Sequence, residues 1–191
     1  MANGSEVSGA SAEVVRTKLL APKLRSEYVA RPRLLEPLEA SSDRKLTLMS
    51  APTGYGKTTL LTQWRHSEKG ERPFAWVALD EQDNDPVRLW RHVIAALREV
   101  VPTEGFGAEI LVGMRVVGAK LIETALPMLI NRLTELPYRI VLVLDDYHAI
   151  KDSSCHESVS FFIEHLPDTV HVVLSTRSYP PLSLGRLRAR G

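Results

Sequence analysis

The chain has 191 residues, of which 44% are apolar and 25% charged, with a formal net charge of +1 and a single cysteine. This is the make-up of one ordinary globular domain, long enough to bury a real core. The charge balance gives no global field for nucleic acid or membrane, and Cys155 alone rules out an internal disulfide, which suits a reducing compartment.

No apolar run approaches bilayer length, and the small, polar N-terminus lacks a basic-then-apolar leader pattern, so the expected location is the cytoplasm. Residues 1–13 read as a disordered lead-in to a single domain over 14–191. Leu34, Leu35 and Leu38 stand at helical spacing after Pro32, a good first-turn residue, and Pro37 keeps that helix short or bent.

Leu46–Ser50 is a short apolar strand. It runs into Ala51-Pro52-Thr53-Gly54-Tyr55-Gly56-Lys57-Thr58-Thr59, after which a helix is expected to about Glu68. Strand, glycine-bearing loop with Lys-Thr, then helix is the layout of a P-loop. Gly54 and Gly56 can take positive φ, so that backbone N–H groups curl around phosphate oxygens. The start of the helix turns its positive dipole end to the same place. Lys57 supplies a mobile charge for the β and γ phosphates, and the Thr58 hydroxyl is placed to ligate Mg²⁺. The general pattern has Gly at the first position, where this chain has Ala51.

Phe74-Ala75-Trp76-Val77-Ala78-Leu79 reads as a second strand, followed by an acidic loop, Asp80 to Asp85. Asp85-Pro86 starts a helix with Val87, Trp90, Val93, Ile94 and Leu97 on one face. Residues 102–118 are glycine-rich and weakly patterned, a loop or a short helix. Leu121, Ile122, Ala125, Leu126, Leu129, Ile130 and Leu133 mark an amphipathic helix kinked at Pro127.

Arg139 to Asp146 is a strand apolar on both faces that ends in two carboxylates. Acidic groups at the carboxyl end of such a strand lie where open α/β sheets bind ligands, the Walker B arrangement. Asp145 would hold Mg²⁺. Asp146 stands where a carboxylate can orient an attacking water, or else caps the next segment. A helix around 156–165 and a strand His171 to Arg177 follow. Arg177 is either a γ-phosphate sensor or a partner for a surface carboxylate. Cys155 has no His/Asp partner motif and reads as inert. Pro180-Pro181 breaks the chain before a basic tail with Arg186, Arg188 and Arg190. Strands alternating with helices imply a three-layer α/β domain with a mainly parallel sheet.

With these motifs in place, the chain resembles STAND-class P-loop ATPases of the ASCE type, specifically the nucleotide-binding domain of MalT-like, LuxR-group transcriptional regulators. The stretches that carry this are Thr17-Lys18-Leu19-Leu20-Ala21-Pro22 with Val29-Ala30-Arg31, the P-loop with its Ala51, Trp76 to Asp85, Leu144-Asp145-Asp146-Tyr147-His148, and Ser175-Thr176-Arg177 with the basic tail. The resemblance implies an ATP/ADP switch with Mg²⁺: an active, self-associating ATP form, a closed ADP form, and slow hydrolysis as the reset. Nucleotide contacts carry over to Val29, Arg31, Thr53, Gly54, Tyr55, Gly56, Lys57, Thr58 and Thr59. Thr58 and Asp145 carry over as the metal ligands, and Asp146 and Arg177 as the catalytic pair. Val29 and Arg31 match a segment that packs near adenine. Tyr147 and His148 match the motif without a chemical role to assign, and His148 reads as structural. The resemblance also implies a fifth strand beside the P-loop strand, which the sequence does not reach. The P-loop strand is then expected at the sheet edge, with weakened affinity and at most weak ATPase activity. DNA would be bound only by a domain outside this chain. Two other readings remain at this stage: a P-loop small-molecule kinase, and an interaction module that no longer uses nucleotide.

Overall fold

The computed structural model describes residues 14–24, 29–68, 72–116 and 121–182. Four strands form one parallel sheet: β1 (Leu46–Ser50), β2 (Phe74–Ala78), β3 (Ile140–Asp145) and β4 (Val170–Thr176). Their order is β1-β4-β3-β2. The helices are α1 (Pro32–Ala40), α2 (Lys57–Ser67), α3 (Pro86–Val100), α4 (Ala108–Val116), α5 (Leu126–Thr134) and α6 (Ser153–Glu164).

Apolar residues on both faces of the strands demand cover on both sides, and the helices supply it. On one face Leu60, Leu61 and Trp64 of α2, with Leu38 of α1, pack on Phe74, Trp76, Val141, Val143 and Val173. On the other, α3, α5 and α6 bury Val77, Leu142, Leu144, Val172 and Leu174. Trp64 stands edge-on to Phe74, and Trp90 edge-on to Phe162. The result is the three-layer P-loop NTPase-like fold. No helix among the described residues is long and apolar enough to cross a membrane.

The sheet order fixes the site. β4 lies between β1 and β3, in register Ser50↔Thr176 on one side and Leu144↔Leu174 on the other. The loops after β1, β3 and β4 therefore emerge side by side at the carboxyl edge, where open α/β sheets hold ligands. Among the described residues β1 pairs only with β4 and forms a sheet edge, as expected from the sequence.

Local differences from the sequence expectations have physical causes. α3 buries Leu89 and His92 beside the predicted Trp90, Val93, Ile94 and Leu97, because it is covered on more than one side. The 102–118 stretch contains a true helix, α4. The segment around Pro127 is an unbroken helical run from Leu121 to Thr134, as expected, but its first turn, Leu121–Ala125, is π-type and passes directly into α5, with Pro127 in the first turn of α5. β2 stops at Ala78 and β4 at Thr176, leaving Leu79 and Arg177 just beyond the strands. The N-terminal lead-in, 1–13, and the tail arginines Arg186, Arg188 and Arg190 lie outside the described residues.

Gly107, before α4, has φ +69°, and a Cβ there would meet Ile94 Cγ2 at 2.7 Å. Gly107→Ala combines left-handed strain with overpacking of a core side chain, each costing roughly 1–2 kcal/mol or more. Urea denaturation should show a loss of at least about 2 kcal/mol, whereas Gly105→Ala, with φ +72° and nothing within 4 Å of the added carbon, should lose only the strain contribution.

Candidate nucleotide site

The loop between β1 and α2 has the conformation that its glycines suggest. Gly54 has φ +83° and Gly56 φ +76°, and Gly56 is the residue from which α2 starts. No side chain caps α2, so its first N–H groups are left to whatever sits over the loop. Lys57 Nζ donates to the backbone oxygens of Ala51 at 2.6 Å and Pro52 at 3.2 Å. It thus rests on the loop with no carboxylate partner in those contacts, a posture from which a flexible ammonium can turn to a phosphate. Thr53, Gly54, Tyr55 and Thr59 are exposed around the loop.

Across the loop stands the end of β3. Asp145 is 3% exposed, and its Oδ2 accepts the Thr58 hydroxyl proton at 2.8 Å. Its Oδ1 accepts the backbone N–H of Asp146 at 3.0 Å. A hydroxyl and a carboxylate held together in this way are hard oxygen donors suited to Mg²⁺. Asp146 is the one non-glycine residue with positive φ among the described residues, at +56°. It does not cap the turn that follows; no side-chain cap bond exists there. Instead the backbone reversal leaves its carboxylate half-exposed beside the site. Arg177 is exposed immediately after β4.

Arg31 and Val29 reach the same place from the other side. Arg31 Nη1 donates to the Tyr55 carbonyl oxygen at 2.8 Å, and its guanidinium lies about 3.6 Å from where a Gly56 Cβ would stand. The Val29 carbonyl oxygen accepts from Gln63 Nε2 at 3.1 Å, while its side chain is largely exposed. The structure therefore gathers Arg31, the P-loop, Thr58, Asp145, Asp146 and Arg177 at one edge of the sheet. The glycine conformations, the uncapped helix start and the paired hydroxyl and carboxylate fit a Mg-nucleotide phosphate chain. The site would draw its charge from Lys57 and the metal held by Thr58 and Asp145.

A scan of the chain against protein-family models finds no match. Among curated proteins, the chain is 34% identical over 177 residues to the HTH-type transcriptional regulator MalT of Cronobacter sakazakii. It is 34% identical over 177 residues to that of Serratia proteamaculans, and 31% over 176 residues to that of Vibrio cholerae. The chain is a MalT-like domain. The alignments cover 92–93% of this chain and 19% of each regulator, so the domain spans about a fifth of the length of these relatives.

One group that the sequence reading passed over anchors the N-terminal segment of the MalT-like domain. Lys18 Nζ meets Asp83 Oδ2 at 2.6 Å and Asp80 Oδ2 at 2.8 Å. Asp83 is fully buried, its Oδ2 also accepts the Asp80 N–H at 3.0 Å, and His92 Nδ1 lies 3.1 Å from its Oδ1. His92 Nε2 accepts the N–H of Val15 at 3.2 Å. Charge pairs between residues 65 apart leave no periodic trace in a sequence; only the acidic character of the 80–85 loop signalled them.

Burial alone would raise the Asp83 carboxyl. The contacts from His92 and Lys18 outweigh it and hold the group at about 2, below its usual 3.8. A depressed carboxylate stabilises the fold above its unfolded value and loses that contribution as pH falls through the folded one. Stability should therefore drop by about 2 kcal/mol between about pH 4 and pH 2 from this residue, on the scale of 1.36 kcal/mol per unit. Lys18→Met should destabilise the domain at pH 7 by about 3–5 kcal/mol, since it leaves a buried charge without its ammonium. Denaturant titrations of both proteins across that pH range would test this.

Proposed function

We propose that the domain is an ATP/ADP-binding switch module of a longer MalT-like, LuxR-group transcriptional regulator, with Mg²⁺ and with slow hydrolysis at most. The observation that carries this reading is the pairing of the Lys57-Thr58 loop with Asp145, through a 2.8 Å hydrogen bond across the carboxyl edge of the sheet. The homology supports a regulatory rather than a metabolic setting, since the relatives are named as HTH-type transcriptional regulators.

Each residue has a task in this reading. Backbone N–H groups of residues 53–59 cradle the phosphates, and Lys57 leaves the carbonyls of Ala51 and Pro52 to engage the β and γ oxygens. Thr58 and Asp145 hold the metal. When bound, Mg²⁺ supplies charge neutralisation of the phosphates. Asp146 orients a water, and Arg177 registers the terminal phosphate. Arg31, already on the loop, and Val29 border the nucleoside. DNA binding and ATP-dependent self-association would belong to the full-length regulator, working in the cytoplasm.

Thermal unfolding with Mg-ADP or Mg-ATP tests the reading. At a hundred times its Kd, a ligand of the folded state alone adds about 2.7 kcal/mol, a Tm rise of a few degrees. The rise should vanish in Lys57→Ala; an unchanged Tm in the parent would reject the proposal. In Asp145→Asn the Thr58 hydroxyl keeps an acceptor but the metal loses a charge. Nucleotide affinity measured by calorimetry in Mg²⁺ and in EDTA should therefore differ in the parent and converge in the variant.

A further inference from the structure

We propose that the N-terminal stretch of residues 15–20 is a switch element coupled to the nucleotide site: a bound nucleotide holds it more firmly against the loop after β2, and its release weakens nucleotide binding. The inference rests on the nucleotide reading above.

The stretch is attached by polar contacts rather than by burial. No residue of its single helical turn, Arg16–Leu19, is buried, and Val15 and Leu20 are exposed. Within it only Leu19 leans on the larger core, partly buried. What holds the stretch is the Lys18 ammonium set between Asp80 and Asp83, and the Val15 N–H given to His92 Nε2. Segments with few buried apolar contacts open at far lower cost than the whole domain. Docked and released forms of this stretch are therefore two states of one folded domain.

Its attachment point also supports the site. Asp80 and Asp83 close the turn between them: the Asp80 carboxylate accepts the Gln82 N–H at 2.9 Å, and Asp83 accepts the Asp80 N–H at 3.0 Å. Asn84 follows directly. Its Nδ2 donates to the Ala149 carbonyl at 2.9 Å, and its Oδ1 accepts the N–H of Asp152 at 2.9 Å and that of Lys151. It thereby grips the chain just past the turn 147–149 that follows Asp145 and Asp146. From the other end of the same loop, the Leu79 N–H donates to the Asp145 carbonyl at 2.9 Å.

Without Lys18, the fully buried Asp83 keeps only His92 and Arg88, whose Nε stands 3.7 Å away. A buried carboxylate that has lost its ammonium gains by turning toward water. Asp83 cannot turn without unmaking the loop that presents Asn84, and Asp145 and Asp146 then lose part of their backing. A nucleotide with its metal needs those carboxylates in place, so it favours the docked form. By linkage, the docked form favours the nucleotide to the same degree.

Hydrogen exchange on the 191-residue chain with and without saturating Mg-ADP, together with calorimetric Kd values for Mg-ADP, tests the proposal. Val15→Pro is the probe of release: it deletes the N–H given to His92, at an exposed residue whose φ of −82° a proline can adopt. Asn84→Ala cuts the connection. Mg-ADP should slow exchange at residues 15–20 about tenfold, an ordinary coupling between two sites, while the α4 amides keep their rates. Val15→Pro should weaken Mg-ADP several-fold and by no more than that factor, and in an Asn84→Ala background its effect should fall below about twofold. Mg-ADP binding that leaves exchange at residues 15–20 unchanged, or slows it no more than in α4, would overturn the proposal. So would a Val15→Pro chain that binds as the parent does, or one that no longer unfolds cooperatively, which would make the stretch part of the core fold. If the parent itself gave no binding heat with Mg-ADP or Mg-ATP, the nucleotide reading would fall, and the proposal with it.

Discussion

The hydrogen bond from Thr58 to Asp145 is the contact on which the arrangement depends. It joins residues 87 apart in sequence, one opening a helix and the other closing a strand. It forms only if β1 and β3 end at the same level, and that needs β4 inserted between them in parallel register. A one-residue slip of β3 would turn Asp145 to the opposite face and break the bond. All six β3 residues are buried, and the five before Asp145 are apolar on both faces, so the apolar pattern resists such a slip on neither face in particular. What favours one register is the end of the strand, where Asp145 is buried and holds its two donors, Thr58 and the Asp146 N–H.

The two faces of the sheet divide the labour. The α2 side is a small core centred on Trp64, and it sets the angle at which α2 points its start toward the loop. The α3, α5 and α6 side is the larger core, and it holds the β3 end and the turn after it through Tyr147 and Asn84. Site residues are therefore fixed from opposite faces and meet only at the edge. The N-terminal segment spans the two halves: Lys18 is pinned to the 80–83 loop beyond β2, and Arg31 sits on the P-loop beyond β1. Because the sheet order places β1 and β2 at opposite edges, these two contacts lie at opposite sides of the sheet.

Much of this was legible in the sequence because it rests on short-range rules. Four apolar runs of strand length, a Gly-x-Gly-Lys-Thr loop between strand and helix, and paired aspartates ending a strand each carry a local signature. The parallel class followed from strands apolar on both faces. What was not legible depends on distance or on backbone detail. The left-handed Asp146 is one case, since an aspartate tolerates that region without requiring it. The π-type turn before α5 is another: Pro127 signals a break but not its form. The burial of Leu89 and His92 could not be read from one helical face, because a helix covered on several sides has no single stripe. The pairing of Lys18 with Asp83, and the direction of His148, appear only once the loops are side by side.

The same contrast explains why neighbouring residues of one motif differ in kind. Leu144, Asp145, Asp146, Tyr147 and His148 are consecutive, yet Leu144 and Tyr147 are buried in the core, Asp145 is buried against Thr58, and Asp146 and His148 are part-exposed. A strand alternates sides every residue, and a tight turn resets that alternation. The positive φ at Asp146 is the reset: with extended backbone there, Tyr147 and His148 would simply continue the pleat of β3. The reversal instead sends the large apolar ring of Tyr147 into the protein and leaves the small polar ring of His148 nearer the surface. Tyr147 is the stronger anchor of the two, because its burial and its bond to His156 hold the turn whether or not anything occupies the site.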